Sequence, residues 1–251
     1  MPEDFYDRVA KKLGGYGYGV NPEYTKEFPA GDPEKIFKEK LLELSSKDEI
    51  ALDIGCADGK FTISVAPYFK KVYGIDTSKV NLGIAESHSN DARSKNVEYS
   101  FQYASHTSFS DSFFDLAYCR RGPSFYGEYQ RILKPGGYYL EIGIGEKDSA
   151  ELKKVFGRGQ GYGKWNEPRL DRDLKELKEL GFKIIFAENY YPSEYYPSYE
   201  QFDLFLQGVP IFEDYNSVKD KAKLEEYVAE NTTPKGIILP RHRIVLVAKK
   251  K

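Results

Sequence analysis

Two cysteines, one methionine, one tryptophan and three histidines in 251 residues leave little material for soft-metal or redox chemistry. Cys56 and Cys119 have no metal-ligand spacing, so no structural zinc is expected, and a thiol content this low fits a reducing, cytoplasmic setting. No apolar run reaches the roughly 18 residues of a membrane-spanning helix. The opening Met1-Pro2-Glu3-Asp4 lacks the basic and apolar regions of a secretory signal. Neither sign of charge prevails: 37 Lys and Arg stand against 39 Asp and Glu, net −2. No global basic field therefore draws the chain to nucleic acid or to anionic membrane. No internal repeat or low-complexity stretch is visible, and the length suits one α/β domain with an elaboration.

What the sequence does hold is a strand–turn–helix signal at Glu49 to Thr62. An apolar run closes on Asp53; Gly55 and Gly59 then allow torsions and a close ligand approach that a Cβ would forbid. A helix beginning near Phe61 would aim its free amides at a ligand. About twenty residues on, a second apolar strand ends in Asp76, placed to accept hydrogen bonds from ribose hydroxyls. Aligning a Gly-x-Gly-x-x-Gly fingerprint on Gly55 puts Ala57 and Lys60 at the other two glycine positions, a poor fit to NAD or FAD. A Walker loop fails too, because Phe61 stands where a hydroxyl must follow the lysine. Asp58 in the loop opposes a pyrophosphate and suits a cationic or zwitterionic ligand.

The segment Leu52-Asp53-Ile54-Gly55-Cys56-Ala57-Asp58-Gly59 resembles the first motif of class I S-adenosylmethionine-dependent methyltransferases, departing from it at Ala57. Three further matches follow in the family's order: Gly74 to Ser78, Ser108 to Asp115, and Ile132 to Gly137. The resemblance implies S-adenosylmethionine as cofactor. It also implies cofactor contacts from Asp53, Gly55, Cys56, Ala57 and Gly59, from Asp76 and Thr77, from Ala104 and Ser105 beside the adenine, and from Cys119.

Strands are expected near 50–55, 71–76, 97–103, 114–120 and 138–145, with helical patterns at 60–66, 79–93 and 126–134. Asp32-Pro33 starts an earlier helix, Leu170 to Leu180 forms a later one closed by Gly181, and strands at 182–186 and 243–248 complete the set. Alternation of this kind gives a mostly parallel sheet. The resemblance implies a Rossmann-like, seven-stranded version with helices on both faces, an antiparallel last strand, and a helical insertion between the sixth and seventh strands. The expected organisation is an amino-terminal flap at 1–32, a cofactor-binding domain at 33–192 and 241–251, and a helical cap at 193–240 over the substrate site.

No catalytic residue is assigned, because methyl transfer from a sulfonium can run on positioning alone, without a dedicated base. His106 follows the third strand and is a candidate base or a solvated loop residue; His88 and His242 have weaker claims. Arg120 and Arg121 close the fourth strand and can clamp a carboxylate or phosphate, or stand as solvated strand-end charges. With Tyr126 and the lone Trp165 they are the candidate substrate contacts. Arg120-Arg121-Gly122-Pro123 departs from the motif that base-amino methylating enzymes of this fold carry there. Tyr190, Tyr191, Tyr195, Tyr196 and Tyr199 line a pocket or pack the insertion. From Ser193 to Pro240, nine acids face four lysines, a balance that disfavours a phosphate backbone.

The leading expectation is thus a methyltransferase acting on a small molecule. An RNA methyltransferase and a non-catalytic cofactor-binding protein remain open. Oligomeric state is not legible.

Overall fold

The computed structural model describes residues 5–13 and 22–251 of the chain. The glycine-rich run 14–19, part of the expected flap, lies outside them. Packing divides the chain into two units, residues 33–143, 170–189 and 244–251, and residues 1–32, 144–169 and 190–243.

The larger unit is built on seven strands: β1 Ile50–Ile54, β2 Lys71–Asp76, β3 Val97–Phe101, β4 Phe114–Arg120, β5 Leu133–Ile144, β6 Phe182–Tyr190 and β7 Arg243–Lys250. Their order is β3-β2-β1-β4-β5-β7-β6, a mixed sheet with one antiparallel strand, as expected. The pairs β1–β2, β1–β4, β2–β3 and β4–β5 are parallel. Parallel strands covered on both faces read as near-continuous apolar runs. In β4 only Phe114, Asp115 and Arg120 flank the buried stretch Leu116-Ala117-Tyr118-Cys119, all 0% exposed. Each fully buried side chain of the size of Leu116 or Phe114 adds roughly 1.5–3 kcal/mol of transfer free energy.

Helices Lys60–Val65, Lys79–Asp91, Tyr126–Ile132 and Arg169–Glu179 join the strands, and Pro33–Glu43 precedes β1. Ser78 caps the second of these by accepting from Asn81 N at 3.1 Å. The chain steps from β1 outward to β3, then returns to the other side of β1 as β4. This reversal opens a crevice at the carboxyl ends of β1 and β4, where α/β sheets take ligands.

Three boundaries differ most from expectation, one of them the strand expected at 182–186, which runs on to Tyr190. The helix at 126 stops at Ile132, and β5 starts at Leu133 rather than near 138, because Leu133 already pairs with Phe114 before a register shift. Gly137 lets the backbones touch there, since an added Cβ would lie 2.9 Å from Asp115 O. Strand β3 ends at Phe101 because Gln102 N turns to Asp76 O and Tyr103 bridges to His106.

The smaller unit holds more than helices. Thr25–Glu27, Ser193–Tyr196, Gly236–Pro240 and Thr232–Thr233 form a four-stranded sheet in that order, antiparallel throughout. Helices Phe5–Leu13, Ala150–Phe156, Tyr199–Gly208 and Lys221–Asn231 accompany it. Its core joins Leu152, Phe156, Tyr196, Phe202, Phe205, Leu224 and Tyr227. Residues 144–169 belong to this unit, together with the insertion. No helix among the described residues is long and apolar enough to cross a membrane. Among them, no group of three His, Cys, Asp or Glu residues could hold a metal ion.

Candidate active site

Asp53 sits one residue before the end of β1, in register with Gly74 of β2 and Tyr118 of β4. It is 2% exposed, and its Oδ2 accepts from Thr62 Oγ1 at 2.7 Å. Burial pushes its carboxyl up to about 6, against the opposing pull of the Thr62 hydroxyl and the Arg120 charge. A carboxylate held this way is short of a cationic partner.

Three left-handed residues shape the loop that follows: Gly55 (φ 74°), Ala57 (φ 47°) and Gly59 (φ 73°). Ala57, the departure from the glycine of the motif, adopts a torsion that favours glycine, so the loop keeps its path at the cost of some strain. Gly55 and Cys56 amides both donate to Ile75 O, at 2.9 and 3.0 Å. The Asp76 carboxylate then ties the loop to β2: Oδ2 accepts from Ala57 N at 3.0 Å, and Oδ1 from Ser78 N at 2.8 Å. Asp58 is paired with Lys60 at 2.9 Å, so the loop's extra acid is neutralised locally.

The two glycines of the loop differ in what they make room for. A Cβ on Gly59 would lie 2.4 Å from the Tyr99 hydroxyl and 2.8 Å from Ala85 Cβ; one on Gly55 would meet nothing within 4 Å. Gly59 is needed by its neighbours, whereas Gly55 leaves open space that a side chain would fill. Tyr99 also covers Gly74, where an added Cβ would sit 2.6 Å from its ring.

Across the crevice, Glu34 at the start of the Pro33–Glu43 helix receives both strand-end arginines, Arg120 Nη2 at 3.0 Å and Arg121 Nη1 at 3.1 Å. Arg121 is left-handed (φ 59°), which turns its side chain onto the same carboxylate. The Arg120 guanidinium lies 4.1 Å from the centre of the Phe61 ring. Its Nε is buried without a hydrogen-bond partner among the described residues. Arg120 and Arg121 thus share the Glu34 carboxylate, with the Arg120 charge felt at Asp53. A zwitterionic amino-acid group has an ammonium to offer Asp53 and a carboxylate to offer Arg120.

The remaining predicted residues are placed as follows. Cys56 and Cys119 are buried, and burial pushes the Cys56 thiol well up, so neither is a poised nucleophile. Thr77 and Ser105 are exposed and Ala104 half-buried. Ser105 Oγ lies 2.8 Å from His106 Nδ1, and the His106 ring stacks on Tyr103. Tyr126 is 1% exposed, packed in the core with its hydroxyl donating to Glu141 at 3.1 Å, not open to a substrate. Trp165 belongs to the other unit, packed over Gly161. Glu34, Phe61, Thr62 and Tyr99 were not singled out from sequence. Only Glu34 left a signal there, as an acid in the first turn after Pro33.

Residues 51–137 match the model of a methyltransferase domain family. The uncharacterized methyltransferase YcgJ of Bacillus subtilis is 27% identical over 124 residues, 43% of this chain and 49% of its own length. Its crystal structure superposes with a TM-score of 0.64 at 16% identity, covering 86% of this chain and 99% of that one. The 24-methylenesterol C-methyltransferase 2 of Oryza sativa subsp. japonica is 25% identical over 206 residues, 73% of this chain and 56% of its own. The geranyl diphosphate C-methyltransferase of Streptomyces coelicolor A3(2), solved with Mg2+, geranyl diphosphate and S-adenosyl-L-homocysteine, gives a TM-score of 0.57 at 13% identity, covering 100% and 99% of the two chains. The chain spans 14 to 56% of the length of the four curated relatives it matches. With its loop, its strand order and its Asp53–Asp76 pair, the stretch 51–137 is similar to a methyltransferase domain, and the fold is that of the solved methyltransferases with which the chain superposes.

Proposed function

We propose that the chain transfers a methyl group to a small-molecule acceptor. The observation that carries the reading is the loop between β1 and β2. It joins open space above Gly55 to the acid that ends the second strand, Asp76, whose carboxylate accepts from the loop amide of Ala57, and to a buried acid, Asp53.

In this reading Asp76 takes the ribose hydroxyls, Asp53 the ammonium and Arg120 Nε the carboxylate of S-adenosylmethionine. When bound, the cofactor supplies a methyl group on a sulfonium, a leaving group good enough to need no metal or covalent enzyme intermediate. The chain's work is to hold the acceptor in line and keep water away. The acceptor's lone pair forms the new bond as the carbon–sulfur bond breaks, and the proton it then sheds passes to solvent. The buried thiols take no part.

The acidic balance of 193–240 supports a small acceptor over a nucleic acid. So do two of the similar proteins, whose names give a sterol and geranyl diphosphate as what they act on.

The test is transfer of labelled methyl from S-adenosylmethionine into a host-cell extract separated into small-molecule, RNA and protein fractions, with Asp76→Ala as control. Label in the small-molecule fraction, absent with the variant, is the expected result. Label in RNA or protein would replace the acceptor class, and saturable cofactor binding with no label in any fraction would make the chain a binding protein.

A further inference from the structure

We propose that Glu34 is a positioning residue of the methyl-transfer site, holding the Arg120 guanidinium in place for the carboxylate of the cofactor; the role rests on the functional reading above. The geometry is that of a bridge. Glu34 Oε2 accepts from Arg120 Nη2 at 3.0 Å and Glu34 Oε1 faces Arg121 Nη1 at 3.1 Å, so each oxygen serves one guanidinium. The three side chains are between 26 and 32% exposed, which shields the bridge from solvent better than a surface pair.

Nothing in β4 alone brings the two arginines together. Successive side chains of a strand point to opposite faces, and neighbouring guanidiniums repel. The backbone overrides this at Arg121, whose left-handed φ of 59° breaks the alternation. Its surroundings hold that torsion firmly. Arg121 N donates to Ile142 O at 2.7 Å, a Cβ on Gly122 would lie 2.7 Å from Cys119 Sγ, and Pro123 O accepts from the Tyr129 hydroxyl at 2.7 Å. A non-glycine residue kept in a costly conformation beside a candidate active site points to a purpose there. The result of the torsion is that both cations meet Glu34.

The helix Pro33–Glu43 reaches Arg120 by a second route. Phe37, one turn after Glu34, packs its ring 5.9 Å from that of Phe61, and the Arg120 guanidinium lies over Phe61. Arg120 is thus held by a carboxylate at Nη2 and by an aromatic face, and both trace to one helix. Its charge is felt at Asp53, so its place matters to both ends of a bound amino-acid group. A glutamine at position 34 would keep the length but offer one acceptor, turning an amide donor towards the other guanidinium.

The test is nitrogen-15 NMR of the arginine Nε–H groups in the cofactor-free chain, followed by S-adenosylmethionine titration of the same proteins. Lying over the Phe61 ring, Arg120 Nε–H should resonate upfield of the other arginines, and the signal is assigned by its absence in Arg120→Lys. In Glu34→Gln the upfield shift is expected to be lost and cofactor affinity to fall about tenfold, with little further loss when Glu34→Gln is added to Arg120→Lys. A merely structural Glu34 would leave the Nε–H signal in place and weaken both backgrounds alike. An unmoved signal, undiminished affinity in Glu34→Gln, or full additivity with Arg120→Lys would overturn the role and leave methyl transfer standing. A parent that binds no S-adenosylmethionine would overturn the functional reading and the role with it. If Glu34→Gln does not fold, Glu34→Asp, whose carboxylate falls one methylene short of both guanidiniums, is read by the same signs.

Discussion

The Thr62 hydroxyl donates at 2.7 Å to Asp53, nine residues back across the loop, and is the group that makes a fully enclosed carboxylate tolerable there. The hydrogen bond lowers the cost of burial without cancelling it, since the carboxyl still sits at about 6.

Asp53→Asn keeps the acceptor for Thr62 while removing the charge. An acid raised on folding binds protons more readily folded than unfolded, so its burden on stability is absent below its ordinary value near 4 and fully present above about 6. At pH 7.5 the variant is expected to be the more stable by on the order of 1–3 kcal/mol, with the gap closing as pH falls towards 4. Denaturant titrations of both proteins across that range measure it. Cofactor affinity should move the other way, falling in the variant at every pH.

Arg120→Ala tests the charge beside Asp53 from the other side. Arg120 pulls the Asp53 carboxyl down, so its removal should raise that value further and shift the acid limb of cofactor binding to higher pH. It should also cost affinity roughly tenfold through the lost contact to a carboxylate. Binding curves for S-adenosylmethionine between pH 5 and 8 would show both effects. An unmoved acid limb would separate Arg120 from Asp53.

Alanine at the two loop glycines should give opposite kinds of damage. Gly59→Ala meets both a left-handed torsion and the Tyr99 hydroxyl at 2.4 Å, and is expected to cost about 2 kcal/mol or more. Gly55→Ala carries only the torsional cost of about 1–2 kcal/mol, because nothing stands within 4 Å of the added carbon. Its methyl instead enters the ligand's space. Melting curves and cofactor titrations on the same two proteins should rank them in reverse order.

Most of the larger unit was legible because its signals are local. Apolar runs ending in Asp53 and Asp76, the glycines between them and the Pro33 helix start all act within a few residues. What escaped depends on partners far apart in the chain. The Glu34–Arg120 contact spans 86 residues, and nothing near Arg120 announces it. The strands Ser193–Tyr196 and Gly236–Pro240 read as parts of a helical insertion because each is too short to show a period and gains its form only from the other. Tyr126 misled for a related reason: a tyrosine a few residues past the strand that ends at Arg120 looks like a substrate contact until its hydroxyl is found donating to Glu141, fifteen residues on.

Tyr99 presses on Gly59 and Gly74 together, from a strand that borders only one of them. The three positions therefore share one steric account, and changes among them should not add. Gly74 has no left-handed torsion, so Gly74→Ala is penalised mainly by the ring, with a tighter-than-usual 3.0 Å approach to Cys56 Sγ beside it; in a Tyr99→Leu background the larger part of that penalty should vanish. Gly59, bound by its torsion as well, should recover only in part. A double-mutant cycle on stability would thus find strong coupling between positions 74 and 99, twenty-five residues apart, and the history of this loop would be one of paired substitutions rather than single ones.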